Sequence, residues 1–225
     1  QAMPGSTGAF PAANAKRALS NTLPSMLEHL ERWGYRRDVH WCIGHKPPKS
    51  LHWPSPLIPP ENWDNVISFY TGAIGFIVSQ DRAGTSNSKS FDWLDIDEAK
   101  YIDFDQLKDE TFPANRGQQK EFGSCPWHHG MLIASDMPVT KKGSWFLNYE
   151  SKMDVEFINT IKGLVYRQWE IRQKGSPLSS YHQKELADLE HSLARLRSHA
   201  LLYKEYSSLV NLQVLGIAFI KKMKR

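Results

Sequence analysis

Cysteine is scarce in this chain, with two in 225 residues. That excludes a disulfide-stapled scaffold and points to a reducing compartment, cytoplasmic or nuclear. A lone Cys42–Cys125 bridge is the only pairing an exported form has. Long apolar runs are also missing. The longest, at 214–220, is far short of the roughly 18 residues a membrane-crossing helix needs, so no membrane partner is expected. The opening QAMPGSTGAF has no basic segment leading into an apolar one, which excludes a secretory leader of the usual form. QAMPGS reads as a non-native leader, and residues 1–10 are set aside as a disordered start. A glycine-rich phosphate loop, a nucleophile elbow, a His-Glu-x-x-His helix and a dinucleotide fingerprint are all absent.

Neither sign of charge dominates. Twenty-eight Lys and Arg against 24 Asp and Glu leave +4, compatible with an acidic partner without requiring one. Hydrophobic residues at 40% and charged residues at 23% are ordinary globular usage, so a packed core is expected. Eight tryptophans imply either large buried rings with polar edges or exposed stacking surfaces.

Periodicity predicts the elements. Across 13–35, Leu23, Met26, Leu27, Leu30 and Trp33 recur at helical spacing, with Gly34 as a stop and Pro24 opening a second helix. HKPPKSLHWPSPLIPPENW holds six prolines and reads as an extended connector. VISFYTGAIGFIVS, at 66–79, is β-branched and aromatic around two glycines, as in a buried strand or hairpin. FDWLDIDEAKYIDFDQLKDE suggests strand, turn and short helix, while GMLIAS and SWFLNYE suggest strands. In the last third, Val155, Ile158, Ile161, Val165 and Trp169 mark one amphipathic helix. Leu186, Leu189, Leu193, Leu196, Ala200 and Tyr203, at alternating steps of three and four, mark another. Ser180 with Gln183 looks like its capping box. The sum is an α+β fold: a central, mostly antiparallel sheet, an N-terminal helix and a C-terminal αα-hairpin layer. It forms a single domain over 11–225, with helix and sheet in 11–150 and helices in 151–225.

Chemistry-bearing patterns are few. Each cysteine has a histidine three places on, Cys42 with His45 and Cys125 with His128. Zinc takes four such ligands at tetrahedral corners, and two-residue spacers let each pair curl round one ion. These four residues are therefore the candidate zinc set, with His40 and His129 beside them as hydrogen-bonding supports. The competing readings are two small buried hydrophobes with satisfied histidines, or a nucleophilic Cys125 with a histidine base. DIDEAK places Asp95, Asp97 and Glu98 before Lys100, an acidic-x-Lys step that suits a metal-dependent nuclease, though a solvated acidic face has the same composition. The C-terminal third is basic. Arg167, Arg172, Arg195, Arg197 and Lys204, with Tyr and Trp between them, are the candidate residues for following a phosphate backbone.

These readings lead to an intracellular macromolecule-binding protein, zinc-stabilised if the Cys and His steps meet, that recognises nucleic acid or a protein through charged surfaces. The alternatives are an immunity or inhibitor protein that neutralises a basic enzyme, a Cys/His hydrolase, and a metal-dependent nuclease. The heptad stripe on the last helix also suits a homodimer.

Overall fold

The computed structural model describes residues 3–210 apart from 82–83, 85, 87–88, 176 and 208–209. The apolar run at 214–220 lies outside the described residues. Six strands form one mixed sheet in the order β2-β3-β4-β1-β5-β6. They are β1 (Thr7–Ala12), β2 (Trp41–Ile43), β3 (Val66–Phe69), β4 (Ile74–Ser79), β5 (Trp93–Ile96) and β6 (Gly130–Ile133). The α+β class holds. Antiparallel pairing, expected for most of the sheet, is confined to β2–β3 and β3–β4; β4, β1, β5 and β6 run parallel.

Among the described residues, 3–10 are not a disordered start. Ser6 and Thr7 are buried, and β1 is the central strand, paired with β4 along its length and with β5 at Gly8 and Ala9. Pro11 in a central strand normally breaks a ladder. Here the Ser6 and Ala12 carbonyls accept from Ile74 of β4 and from Gln80 just past it, so by alternation Pro11 faces β5, beyond the last paired residue Ala9. Its missing N–H leaves no gap in the ladder.

Two layers of helix cover the sheet. Phe10, Ile67 and Ile77 on one face pack under the helical run α1 at 15–32, through Ala18 and Leu23. Asn14 caps this run by accepting from the Arg17 N–H, a π-helical turn at Ala18–Thr22 precedes Pro24, and Gly34 follows the end at a φ of 89°. Trp33, expected on the buried face, is 74% exposed. A Cβ on Gly8 would lie 2.0 Å from the Trp93 ring and one on Gly75 2.3 Å from the Phe10 ring, so both positions must be bare for these rings to meet edge to face. On the opposite face Ala9, Val78 and Leu94 pack with Phe91 and Ala114, and Ile96 with Leu107, Trp145 and Phe146. Leu107 and Ala114 come from the helical run α2 at 104–114, Phe91 from the segment before β5, and Trp145 and Phe146 from a 3₁₀ helix at Lys142–Tyr149. This 3₁₀ helix contains SWFLNYE, expected as a strand; its aromatic content suits either state, and Trp145 stacking on Phe104 favours the helical one.

The last two helices, α3 (Val155–Arg172) and α4 (Ser180–Arg197), form the expected hairpin. Leu193 of the predicted stripe is buried against Ile158 and Ile161. The cap is Ser179 rather than Ser180, and the buried face of α3 continues through Gln168 and Ile171, leaving Trp169 half exposed. Among the described residues no helix is long and apolar enough to cross a membrane.

Candidate functional site

The four parallel strands end on one edge of the sheet, and the segments leaving them carry several ionisable groups. Chain order reverses at β1. The chain leaves it towards β2, returns through β3 and β4 on one side, and then crosses to β5 and β6 on the other. Ligands of open α/β sheets bind outside the carboxyl ends at such a reversal, where diverging loops leave a crevice.

β5 brings the chemistry there. Leu94 and Ile96 are buried on one face, and the strand ends directly in Asp97 and Glu98. Asp97 is exposed and accepts the Glu98 N–H at 2.9 Å through Oδ1; it makes no ion pair among the described residues. Glu98 sits in the left-handed region, φ 54°, which turns the chain sharply into the 3₁₀ turn Ala99–Tyr101. Its Oε2 lies 3.4 Å from Lys100 Nζ, and the same ammonium donates to Asp136 Oδ2 at 2.9 Å. The Lys100 N–H donates to Ser135 Oγ and the Ala99 N–H to the Ala134 carbonyl, so the residues after β6 hold the turn after β5. Both carboxylates push the Lys100 pKa up, Asp136 most. One residue back, Asp95 shares a sheet face with Trp93. Burial, and then the charge of Asp97, raise its carboxyl to about 6.

Other groups complete the rim. The Arg17 guanidinium lies 4.0 Å above the Tyr101 ring, whose other contact is Lys100 at 5.1 Å. Gln80, just past β4, exchanges two hydrogen bonds with the Asp103 backbone, and Lys142 pairs with the Asp103 carboxylate at 2.7 Å. That pairing, with N–H bonds from Gln106 and Asp105, holds the Asp103 pKa below its usual value. On the α1 side a cleft of about 550 Å³ opens between Lys16, Ser20, Asn65 and Asp81.

The structure does not bring the candidate zinc ligands together. Cys42 lies on β2 and Cys125 just before β6, the two opposite edges of the sheet. Five strand spacings put about 24 Å between those edges. Cys42 is a buried thiol at 3.8 Å from the His45 carbonyl, its pKa pushed up by burial. His45 lies 3.9 Å from Asp38, and His40 accepts the Arg36 N–H. Cys125 and His128 belong to a turn in which the His128 N–H donates to the Cys125 carbonyl. His128 is buried with Nε2 3.3 Å from Asp92 Oδ1. Asp92, fully buried, also accepts the Thr7 and Gln118 N–H groups, while His129 donates its N–H to the Asp92 carbonyl. This knot lies at the amino end of β5, away from the carboxyl edge, and ties β1, β5 and β6 together. The equal spacings come from two unrelated turns. Among the described residues no group of three or more His, Cys, Asp or Glu side chains is placed to hold a metal ion.

The basic residues do not converge either. Arg167 pairs with Glu170 of its own helix and with Glu185 of α4, and Arg172 with Glu190 of α4, so two pairs link α3 to α4. Arg197 lies 6.0 Å from the Trp127 ring and Lys204 4.9 Å from that of Tyr206. Arg195 is exposed, and its carbonyl accepts from Ser198. Ser135, Asp136 and Arg17 are the edge residues that sequence reasoning missed. The signal was an apolar strand, GMLIAS, ending in a small polar residue next to Asp136, the counterpart of the Asp-Glu ending of β5.

Comparison with protein-family models, with curated proteins and with solved structures finds no match for this chain.

Proposed function

We propose that this domain handles phosphate esters with the help of a divalent cation, with a nucleoside triphosphate as the substrate class. The supporting observation is the position of Asp97 and Glu98: consecutive carboxylates at the carboxyl end of a buried strand in the parallel part of the sheet, beside the reversal at β1. Mg²⁺ on a nucleotide takes one or two protein carboxylates and fills its remaining positions with phosphate oxygens and water, so a three-ligand cage is not required. In phosphoryl-transfer proteins an acidic residue at such a strand end holds the cation, which neutralises charge developing on the phosphates. Asp97, free of ion pairs among the described residues, takes that role, and Glu98 orients the attacking water. The phosphates also need backbone N–H groups, and the sequence has no glycine-rich loop to supply them. The outer edge of β6, apolar and paired on one side only among the described residues, is where a further parallel strand and its loop would add them.

The test is Mn²⁺–nucleotide binding, followed by water-proton relaxation, together with phosphate release. Glu98→Gln is expected to keep binding and lose release by 100-fold or more; Asp97→Ala is expected to lose both. Binding that ignores Asp97→Ala defeats the proposal.

A second reading concerns α3. Tyr166 and Trp169 lie exposed with their rings 5.5 Å apart, an arrangement suited to stacking on the bases of a single strand. Arg167 and Arg172, engaged with glutamates, weaken its electrostatic half. Filter binding of a single-stranded oligonucleotide should fall steeply with salt and with Trp169→Ser. Retention indifferent to both removes this reading.

A further inference from the structure

We propose that the end of α1 and the turn leading into β2 form a binding surface for single-stranded nucleic acid. A base stacks on Trp33, and Arg36 and Arg37 hold the flanking phosphates. This surface is separate from the carboxyl edge of the sheet and from α3, and it depends on neither.

Positive charge and aromatic rings concentrate in this part of the chain. Residues 32–53 carry five Lys and Arg against one carboxylate, Asp38, whereas the whole chain has 28 against 24. Trp33 follows the last turn of α1 and is 74% exposed. A single exposed ring is ordinary; this one adjoins a fixed turn and cations that carboxylates do not hold. Tyr35 and Tyr70 lie 6.2 Å apart at an angle of 28°, and His40 meets both rings nearly at right angles, at 5.6 and 5.4 Å. The backbone is tied as well. The Arg36 N–H donates to His40 Nδ1 at 2.9 Å, the His40 N–H to the Arg36 carbonyl, and the Asp38 N–H to the Trp41 carbonyl. The turn is therefore formed before a ligand arrives, which lowers the ordering cost of binding.

Arg36 is exposed and makes no ion pair among the described residues. Arg37 lies 5.7 Å from the Trp41 ring and 3.9 Å from Asp38, an exposed contact of the kind that contributes little and that a phosphate can replace. His45, 3.9 Å from the same Asp38, brings the exposed Lys46 to this turn. On α3, by contrast, Arg167 and Arg172 are engaged by glutamates. Three residues separate Trp33 from Arg36, about 10 Å at full extension. A base on the Trp33 ring thus keeps its phosphates within reach of the arginines. A duplex hides the faces of its bases, so the exposed ring favours a single strand.

The test is fluorescence anisotropy of labelled oligothymidylate and oligouridylate with the full chain over a range of salt. Trp33→Ser is expected to weaken binding about tenfold. Trp33→Phe, which keeps a stacking face, should stay within about threefold of wild type. Arg36→Ala and Arg37→Ala should each lower the slope of log affinity against log salt by about 0.7. Trp169→Ser should leave the affinity unchanged. Far-UV circular dichroism melts establish that each variant is folded, and Trp33→Gln replaces Trp33→Ser if the latter is not. No binding at low salt overturns the proposal, as does an affinity indifferent to Trp33→Ser. Binding lost with Trp169→Ser instead moves the strand to α3 and overturns it too. If duplex DNA or polyglutamate displaces the oligonucleotide as well as an unlabelled single strand does, the surface reads charge alone and the proposal falls.

Discussion

Asp95 lies opposite Leu132 in the β5–β6 register, and its carboxylate has no hydrogen bond among the described residues to offset its burial; burial first, and then the charge of Asp97, raise it to about 6 from an ordinary 3.8. Asp92, three residues earlier, is more deeply buried yet accepts two backbone N–H groups and faces His128. The contrast is between a carboxylate that holds the fold and one that strains it. A raised carboxyl pKa means the folded state binds the proton more tightly than the unfolded chain. The contribution of Asp95 to stability is therefore greatest below about pH 4, falls as pH rises through 4 to 6, and stays lower above that window by about 3 kcal/mol. Asp95→Asn removes the charge at nearly constant shape. It should raise the melting temperature by several degrees at pH 8 and make no difference near pH 3.5. A variant equally stable with wild type at pH 8 would mean that Asp95 is solvated in solution. A group that costs stability at neutral pH and lies beside Asp97 is what a functional edge tolerates.

At the level of elements, legibility followed periodicity. The stripe from Leu186 to Leu196 predicted α4 and its packing because a two-helix interface reads directly as steps of three and four. Leu193 and Leu196 of that stripe pack against Ile158 and Ile161 of α3 within the chain. The hairpin β3–β4 was legible from its β-branched runs and the glycine between them. β1 was not, because TGAFPA is built of small residues and a proline; its strand character comes from two neighbours distant in sequence, and its glycine makes room for Trp93. Parallel pairing was missed for the same reason, since nothing local distinguishes a parallel strand from an antiparallel one in a short apolar run. The site was half legible. Asp95, Asp97, Glu98 and Lys100 could be named from DIDEAK, whereas Ser135 and Asp136, 35 and 36 residues beyond Lys100, join them only through the β5–β6 pairing. The two Cys-x-x-His steps misled because spacing carries no information about which edge of a sheet a segment occupies.

Over the whole molecule, the two edges of the sheet are treated differently. β2 is three residues long, bridged by Arg37 and followed by the proline-rich connector, so it offers little for another strand to pair with. β6 has neither charge nor proline in GMLI, and it is apolar on both faces, with Leu132 62% and Met131 47% exposed. Trp127, Met137 and Val139 in the flanking segments are exposed as well. Parallel strands are normally covered on both faces, so an uncovered one at the end of a parallel run marks a surface that pairs with something further. In isolation the chain should meet that need with itself at high concentration. Leu132→Lys puts a charge on the exposed face without touching the buried cluster around Ile96 and Ile133. It should raise the monomer fraction in sedimentation velocity without lowering the melting temperature at pH 8, because the new ammonium lies across from Asp95 and offsets its buried charge. A large loss of stability would instead show Leu132 to be a core residue in solution, with the edge already covered by the chain itself. Unchanged sedimentation at millimolar protein would show that β6 needs no partner, and the phosphate-binding amides would then have to come from the loops already at the carboxyl edge.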